Sequence, residues 1–310
     1  VGMAGIYWLR AANTIVGESD LVLVIGCRLS PQDTVMSHPK LLDPARQRVL
    51  QIDIEPRNAG WVLPVEMGLI GDARTILGQM LEAARKSPDS VGTGRERRLR
   101  DLAERKKSLA FFDDPALHAD SSPVMPQRLV RLLQENLDPS TIITLDAGNN
   151  RAWMCHLYQS QRPHTIFAPG GTAGMGWSAP AALAAKLVQP QRPVVGVMGD
   201  GGFMMSCHAL STAVQYDLPV VFVVMNNGAL GMVREHQGSR PIASEFAETD
   251  HGKIARAFGA FGVQVDNSRD FPLALRDAIR SGKPAVVDVI IDRTPRTDDF
   301  RADQREEYRR

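Results

Sequence analysis

The residues best suited to chemistry are an acid and an amide, each at the end of an apolar run. Asp200 stands in Gly199-Asp200-Gly201, and Asn227 stands in Asn226-Asn227, twenty-four residues after the first motif. A carboxylate and an amide carbonyl are hard oxygen donors, which suit Mg²⁺ completed by phosphate oxygens and water. A lone Gly-Asp-Gly would indicate only a tight turn. The pair predicts a site in which one metal ion holds a diphosphate.

Two predicted strands place this pair. Residues 193–198 and 219–225 are apolar runs typical of buried parallel strands, and residues 203–216 between them predict one helix. A strand, helix and strand of this length form a right-handed crossover, so both strands end at the same edge of the sheet. We therefore expect Asp200 and Asn227 to be neighbours at the edge where open α/β sheets bind ligands.

Gly-Asp-Gly, a gap of this size and Asn-Asn together resemble the signature of the thiamine diphosphate-dependent enzymes. Residues 226–233, Asn-Asn-Gly-Ala-Leu-Gly-Met-Val, are similar to the acetolactate synthase and 2-oxo acid decarboxylase branch. The resemblance spans nearly the whole chain. It implies that the side chains of Asp200 and Asn227 and the carbonyl of Ala229 bind the metal. The cofactor-binding residues it adds in these motifs are Gly199, Gly201, Gly202, Leu230, Gly231 and Met232.

Two further segments agree with the resemblance. Residues 145–153 look like the family's loop that reaches the diphosphate through a glycine and two polar residues, here Gly148, Asn149 and Asn150, although Asn-Asn after a strand is also common in plain turns. Residues 169–176 look like the loop whose Met175 would prop the cofactor into its bent shape. The Ala173 carbonyl would face the pyrimidine amino group. Without the resemblance, Met175 would be interpreted as packing in an irregular apolar gap.

The pattern along the chain predicts an α/β protein with doubly wound parallel sheets. The length of 310 residues favours about two domains. The predicted divisions are a partial, Rossmann-like central domain at 1–86, a linker at 87–122, the thiamine diphosphate and Mg²⁺ domain at 123–293, and a charged, mobile tail at 294–310.

Composition excludes several function classes. With 36 Lys and Arg against 35 acids, no overall field attracts nucleic acid or an anionic membrane. Cys27, Cys155 and Cys207 lie far apart, which argues against a disulfide framework or a zinc site. The apolar runs are shorter than the ~20 residues that span a bilayer. We expect a cytoplasmic protein with a small-molecule partner.

The first residues resemble the middle of the family's central domain, so the sequence is interpreted as a C-terminal fragment. In the family, a glutamate from a separate N-terminal domain faces the pyrimidine ring, and Glu235, Glu245 and Glu248 are not proposed as replacements. The expected assembly is a homodimer or homotetramer in which that further domain completes the site. The fragment alone is expected to be inactive.

A second site is predicted in the first domain. Arg28 and Asp53 follow two predicted strands, an arrangement in which an acid meets a ribose and an arginine meets a phosphate. The acetolactate synthase branch holds FAD in this domain, whereas other branches leave it empty or bind another nucleotide. The stretch after Arg28 lacks the Phe-Asp-Asp run associated with flavin-binding members, so FAD is one possibility among these.

The resemblance implies decarboxylation of a 2-oxo acid with carboligation, as in acetolactate synthases. His236 stands where anabolic members tend to have tryptophan. It is interpreted either as a residue that contacts the substrate or as a surface residue. The alternatives are a simple 2-oxo acid or acyl-CoA decarboxylase or lyase, a regulatory remnant, and a non-catalytic nucleotide-binding module. The spacing of the glycines in residues 171–176 departs from Gly-x-Gly-x-x-Gly, which argues against the last.

Overall fold

The computed structural model describes residues 2–86, 94–302 and 305–308. The chain divides into two compact units, Val1–Phe112 with Asp298–Arg310, and Asp113–Thr297. The predicted linker is thus shared between the units, and its residues 87–93 lie outside the described ranges. No helix of the described ranges combines the length and the apolar character needed to cross a membrane.

The first unit contains a three-stranded parallel sheet in the order β1-β2-β3. Its elements are α1 Arg10–Glu18, β1 Leu21–Ile25, β2 Arg48–Asp53, β3 Met67–Ile70, α2 Ala73–Lys86 and α3 Arg95–Ser108. One apolar cluster joins Val24 of β1 and Val49 of β2 to Trp8 and Leu41. The sequence analysis did not predict β3, which is only four residues long.

Residues 298–302 and 305–308 differ from the expected mobile tail. Ala302 is fully buried, and the ring of Tyr308 packs edge-on against Trp8 at 5.4 Å and His38 at 5.1 Å between ring centroids. The segment is highly charged, but it contains apolar side chains that pack in the core of the first unit.

The second unit is a six-stranded parallel sheet in the order β5-β4-β6-β7-β9-β8, which confirms the predicted fold class. Its elements in chain order are α4 Pro126–Asn136, β4 Ile142–Leu145, α5 Asn149–Leu157, β5 Ile166–Phe167, α6 Ser178–Val188, β6 Val194–Gly199, α7 Asp200–Ser206, α8 Ala209–Gln215, β7 Val221–Asn226, α9 Gly231–Gln237, α10 His251–Ala257, β8 Phe261–Val265, α11 Phe271–Arg280 and β9 Ala285–Ile290.

The helix predicted over 203–216 is two short helices, α7 and α8, and the first begins earlier, at Asp200. Within α7, the Ser206 hydroxyl donates a hydrogen bond of 2.8 Å to the carbonyl of Gly202, four residues before it. Such a bond competes with the helix's own hydrogen bonding and commonly bends it. The first helix ends at this serine, and α8 begins at Ala209.

The strand register sets the positions of the strand ends. Gly199 of β6 pairs with Met225 of β7, and Leu145 of β4 pairs with Val197 of β6. The central strands are buried on both faces, as parallel strands covered by helices must be. The residues that follow β4, β6 and β7 therefore leave the sheet side by side at one edge.

The contact between α10 and β8 gives a test of this packing. A Cβ added to Gly262 of β8 would overlap the backbone carbonyl of Gly252 in α10, whereas one added to Gly170 would meet nothing within 4 Å. We expect Gly262→Ala to lower the free energy of unfolding by about 1–3 kcal/mol, because backbone atoms must move apart. Gly170→Ala should change it by less than about 0.5 kcal/mol. Urea denaturation of both variants checks this, and equal effects would contradict the close packing.

Candidate functional site

The candidate site lies at the point where the chain reverses its direction across the second sheet. From β4 the chain goes to β5 at one side, and from β6 it goes to β7 at the other, although β4 and β6 are neighbours. Open α/β sheets bind ligands beyond the carboxyl ends of two such strands. A cleft lies there, formed by the segments that follow β4, β6 and β7.

Asp200 and Asn227 converge on one backbone amide. Asp200 is 3% exposed; its Oδ1 accepts a hydrogen bond of 2.8 Å from the amide of Gly201, and its Oδ2 accepts one of 3.1 Å from the amide of Ala229. Asn227 Oδ1 accepts from the same Ala229 amide at 3.2 Å. The predicted neighbours are therefore brought together, with an oxygen of each facing the same point.

The environment of Asp200 suits a cation. Burial raises the pKa of its carboxyl group above the ordinary value, and hydrogen bonds from the amides of Gly201, Ala229 and Gly228 oppose that rise only in part. A divalent cation would favour the ionised form. Within the described ranges, no group of three or more His, Cys, Asp or Glu side chains could hold a metal. The donor set here is of another kind, with one carboxylate, one amide oxygen and backbone carbonyls, and it fits Mg²⁺.

Three glycines line the cleft at places where a side chain would not fit. A Cβ on Gly201 would lie 2.6 Å from Leu230 Cδ2, and one on Gly231 would lie 2.6 Å from Asn227 Nδ2. A Cβ on Gly202 would overlap the carboxylate of Asp146. The glycines therefore keep backbone amides accessible in a narrow space, the arrangement that a phosphate group requires.

The loop after β4 gives its two asparagines different roles. Gly148 has a φ of +119°, which favours glycine. Asn150 is buried, and its Nδ2 donates to the carbonyls of Asp146 at 3.0 Å and Val197 at 3.3 Å, so it ties β4 to β6. Asn149 Nδ2 donates to Glu235 Oε1 at 2.6 Å. Asn149 is thus the more exposed of the two toward the cleft, and Asn150 holds the loop in place.

The cleft collects most of the predicted cofactor residues. Those that line it are Gly148, Asn149, Asn150, Met175, Gly199, Asp200, Gly201, Gly202, Asn227, Ala229, Leu230, Gly231 and Met232. Met175 is 39% exposed, so its side chain is available to a ligand and is not enclosed in the core. These placements agree with the predicted roles, which stay predictions.

Two predicted residues lie outside this lining. Ala173 has a φ of +52°, in a loop that reaches the cleft through Met175. His236 is exposed on α9, and its Nδ1 lies 2.7 Å from the carbonyl of Met232, one turn earlier. The structure places its imidazole on the helix surface, and a substrate role for it stays a prediction.

Asp146 is a site residue that the sequence analysis did not single out. It is fully buried at the end of β4 and accepts hydrogen bonds from the amides of Gly176 at 3.0 Å and Trp177 at 3.2 Å. Burial raises the pKa of its carboxyl group, and these amides act in the opposite direction. Asp146 thereby fixes the loop that carries Met175. An acid directly after a buried strand was the available signal.

Glu235, set aside in the sequence analysis, lines the cleft. Besides the bond from Asn149, its Oε2 accepts from the Thr297 hydroxyl at 2.7 Å and the Thr297 amide at 3.3 Å. The carboxylate therefore connects α9, the loop after β4 and the segment after β9. Helical spacing contained the signal, because Glu235 lies one turn beyond Gly231 on α9.

The second predicted site lies in the first unit. Asp53 is buried and its Oδ1 accepts from the amide of Glu55 at 2.9 Å, so it shapes the turn after β2. Arg28 is exposed, with its guanidinium 5.6 Å from the ring centroid of Trp61. A flat cation on an exposed indole is a surface to which a planar ring can bind. A nucleotide here, FAD included, stays a prediction.

Comparison with known proteins gives a consistent result. Residues 146–289 match the family described as thiamine pyrophosphate enzyme, C-terminal TPP binding domain, and residues 1–80 match thiamine pyrophosphate enzyme, central domain.

The similar proteins include acetolactate synthases. The chain is 32% identical over 304 residues to the probable acetolactate synthase large subunit of Methanococcus aeolicus and 33% identical over 305 residues to that of Methanocaldococcus jannaschii, with 94% of this chain and 50% of the relative covered in each case. It is 29% identical over 300 residues to the acetolactate synthase large subunit of Lactococcus lactis, with 95% of this chain and 50% of the relative covered. The chain spans about half the length of these curated relatives.

The buried carboxyl group of Asp200 predicts a conflict between stability and metal binding. Its pKa is raised in the folded state, so the protonated group contributes favourably to the free energy of unfolding below the ordinary pKa of aspartate. This contribution is lost as pH rises through the raised pKa. Asp200→Asn removes the ionisable group and keeps one of the two acceptor oxygens, and the loss of the other acceptor is the same at every pH. We therefore expect the stability of Asp200→Asn relative to the unmodified metal-free chain to be higher at pH 7 than at pH 4.

Urea denaturation in EDTA at pH 7 and at pH 4 measures this difference. Added Mg²⁺ should then stabilise the unmodified chain and leave Asp200→Asn unchanged, because only a ligand that binds the folded state shifts the unfolding equilibrium. A variant less stable at pH 7 than at pH 4, relative to the unmodified chain, would contradict the prediction.

Proposed function

The chain belongs to the thiamine pyrophosphate enzyme family, and on that premise we propose that it forms the diphosphate-binding part of a Mg²⁺-dependent enzyme that decarboxylates a 2-oxo acid and joins the product to a second carbonyl compound. The named relatives, acetolactate synthase large subunits, support this branch of the family. Because the chain spans half of their length, the activity of the whole protein is part of the proposal.

One observation carries the proposal. The oxygens of Asp200 and Asn227 face the amide of Ala229, at a cleft where Gly201, Gly202 and Gly231 leave no room for a side chain of their own. A plain turn after each strand would not require a buried carboxylate at this point, since burial of a charge costs free energy. A metal ion bound to a diphosphate supplies the opposite charge.

Each part of the cleft has a task in this proposal. The side chains of Asp200 and Asn227 and the carbonyl of Ala229 would hold Mg²⁺. The amide of Gly202 and those in the first turn of α9, which have no acceptor within their own helix, would bind the diphosphate, and Gly201 would let the backbone come close to it. Thiamine diphosphate, when bound, supplies the carbon nucleophile that allows a 2-oxo acid to lose CO₂.

Met175 would act on the shape of the bound cofactor. Its loop is held by Asp146 through the amides of Gly176 and Trp177, while the thioether itself is exposed to the cleft. A rigid backbone with a free apolar side chain is suited to support two rings in one relative orientation. Met175 therefore contributes apolar bulk, and Asp146 contributes its placement.

The proposal is tested by cofactor binding. Isothermal titration of the whole enzyme with thiamine diphosphate should show binding that requires Mg²⁺. We expect Asp200→Ala to weaken it by about 3 kcal/mol, roughly 100-fold in Kd, because the diphosphate keeps its charge and loses its counter-ion. The exposed Asp277 on α11 provides the control, and Asp277→Ala should bind as the unmodified chain does. Binding without Mg²⁺ dependence, or unchanged by Asp200→Ala, would refute the metal assignment.

A second test concerns Met175. In the holoenzyme, Met175→Ala should lower kcat by on the order of 10- to 100-fold, because misplaced reacting groups lose rate, while the Kd of the cofactor changes little. Met175→Leu keeps the apolar bulk and should retain most of the activity. Proton exchange at the thiazolium carbon, followed by NMR, is the decisive measurement. Normal exchange in Met175→Ala, together with a lower Tm, would make Met175 an ordinary packing residue.

A further inference from the structure

A cluster of buried polar side chains lies behind the proposed metal site. It consists of Asn226 at the end of β7, His251 at the start of α10 and Asp288 within β9, which are 6%, 1% and 0% exposed. None of them lines the cleft. Polar groups buried to this degree need partners, so the question is what their hydrogen bonds hold in place.

Asp288 is surrounded by donors. Its Oδ2 accepts from the backbone amide of His251 at 2.9 Å, from Gln264 Nε2 at 2.8 Å and from Asn226 Nδ2 at 3.4 Å, and its Oδ1 lies 3.1 Å from His251 Nδ1. Because a carboxylate only accepts, the hydrogen on His251 Nδ1 points toward Asp288. The imidazole orientation is therefore set by the acid.

This arrangement determines the orientation of the Asn226 amide group. The Nδ2 side faces acceptors, the Thr249 carbonyl at 3.2 Å and Asp288 Oδ2, so it must carry the hydrogens. Asn226 Oδ1 consequently faces the other way and accepts from the amide of Gly228 at 3.1 Å. Gly228 has a φ of +67°, which is the bend of the turn that carries Asn227 and Ala229. The cluster thus fixes the turn that holds two of the three proposed metal ligands.

The same imidazole contacts the element that holds the third ligand. The His251 ring packs edge-on against Phe203, with ring centroids 5.2 Å apart. Phe203 is 1% exposed and lies in the helix α7 that begins at Asp200. His251 is therefore connected to both arms of the site, to the turn by hydrogen bonds through Asp288 and Asn226, and to the helix by ring packing on Phe203.

We propose, on the basis of the function proposed above, that His251 and Asp288 are positioning residues that set the spacing between the oxygens of Asp200 and Asn227 and so favour Mg²⁺ over Ca²⁺. Mg²⁺ requires near-octahedral ligands at about 2.0–2.1 Å, whereas Ca²⁺ accepts irregular shells at about 2.3–2.6 Å. A loosened site loses the smaller ion first. A cluster that served only the core would affect folding and treat both ions alike.

Two substitutions separate the polar role of His251 from its packing role. His251→Phe keeps the ring against Phe203 and removes Nδ1, whereas His251→Asn removes the ring and provides an amide donor near the Nδ1 position. Ser178→Ala is the matched control, since Ser178 at the start of α6 is also fully buried and is hydrogen-bonded to Thr144 of β4. For the whole enzyme with the unmodified chain and with each variant, the concentrations of MgCl₂ and CaCl₂ that give half-maximal thiamine diphosphate binding are measured, together with the Tm.

We expect His251→Phe to raise the Mg²⁺ requirement about tenfold, as loss of a partner behind a metal ligand commonly does, and to change the Ca²⁺ requirement much less. His251→Asn should have a lower Tm and keep the preference for Mg²⁺. Ser178→Ala should have a lower Tm and unchanged requirements for both ions. The proposal would be overturned if the ratio of the two requirements were unchanged in His251→Phe, or if His251→Asn lost as much of the Mg²⁺ preference as His251→Phe. Failure of the unmodified chain to bind the cofactor with either ion would instead reject the proposed function.

Discussion

The parallel pairing of β6 with β7 is the constraint on which the site depends. Since Gly199 is in register with Met225, the next residues of both strands leave the sheet at the same height, and the amide of Ala229 can reach Asp200 and Asn227 together. A shift of the register by one residue would reverse the side chains between the faces and separate this pair. The apolar residues of the two strands are buried on both faces and fix the register. The register in turn fixes the positions of Asp200 and Asn227.

Two buried acids at this edge, Asp146 and Asp200, do different work. Asp146 accepts from the amides of Gly176 and Trp177 and organises backbone, while Asp200 accepts from two amides and also faces the cleft. Burial raises the pKa of both carboxyl groups, which means that folding alone does not favour their charge. For Asp146 the backbone amides are the compensation. For Asp200 we propose that part of the compensation is a bound metal ion, which would make the same residue type structural at one strand end and functional at the next.

The sequence predicted the parts of this arrangement that depend on local pattern. Strand hydrophobicity and motif spacing were enough to predict the parallel sheet and the proximity of Asp200 to Asn227. The structure has the parallel sheet, and the two residues are neighbours in it. The two-residue β5 escaped prediction because it is too short to show a pattern. The contact of Tyr308 with Trp8 escaped because it joins the two ends of the chain. No local pattern contains such a contact.

Glu235 shows most clearly why the rest could not be predicted. An acid on a short helix is usually exposed to solvent, and only the fold brings Glu235 to Asn149 and Thr297. Its neighbour His236, which the motif comparison singled out, points to the helix surface instead. Adjacent residues on a helix lie about 100° apart, so a family motif aligned residue by residue identifies the right helix and leaves open which side chain enters the cleft. That choice depends on the rotation of α9, which follows the turn from Asn227 to Leu230, and the amide of Ala229 in this turn donates to both Asp200 and Asn227.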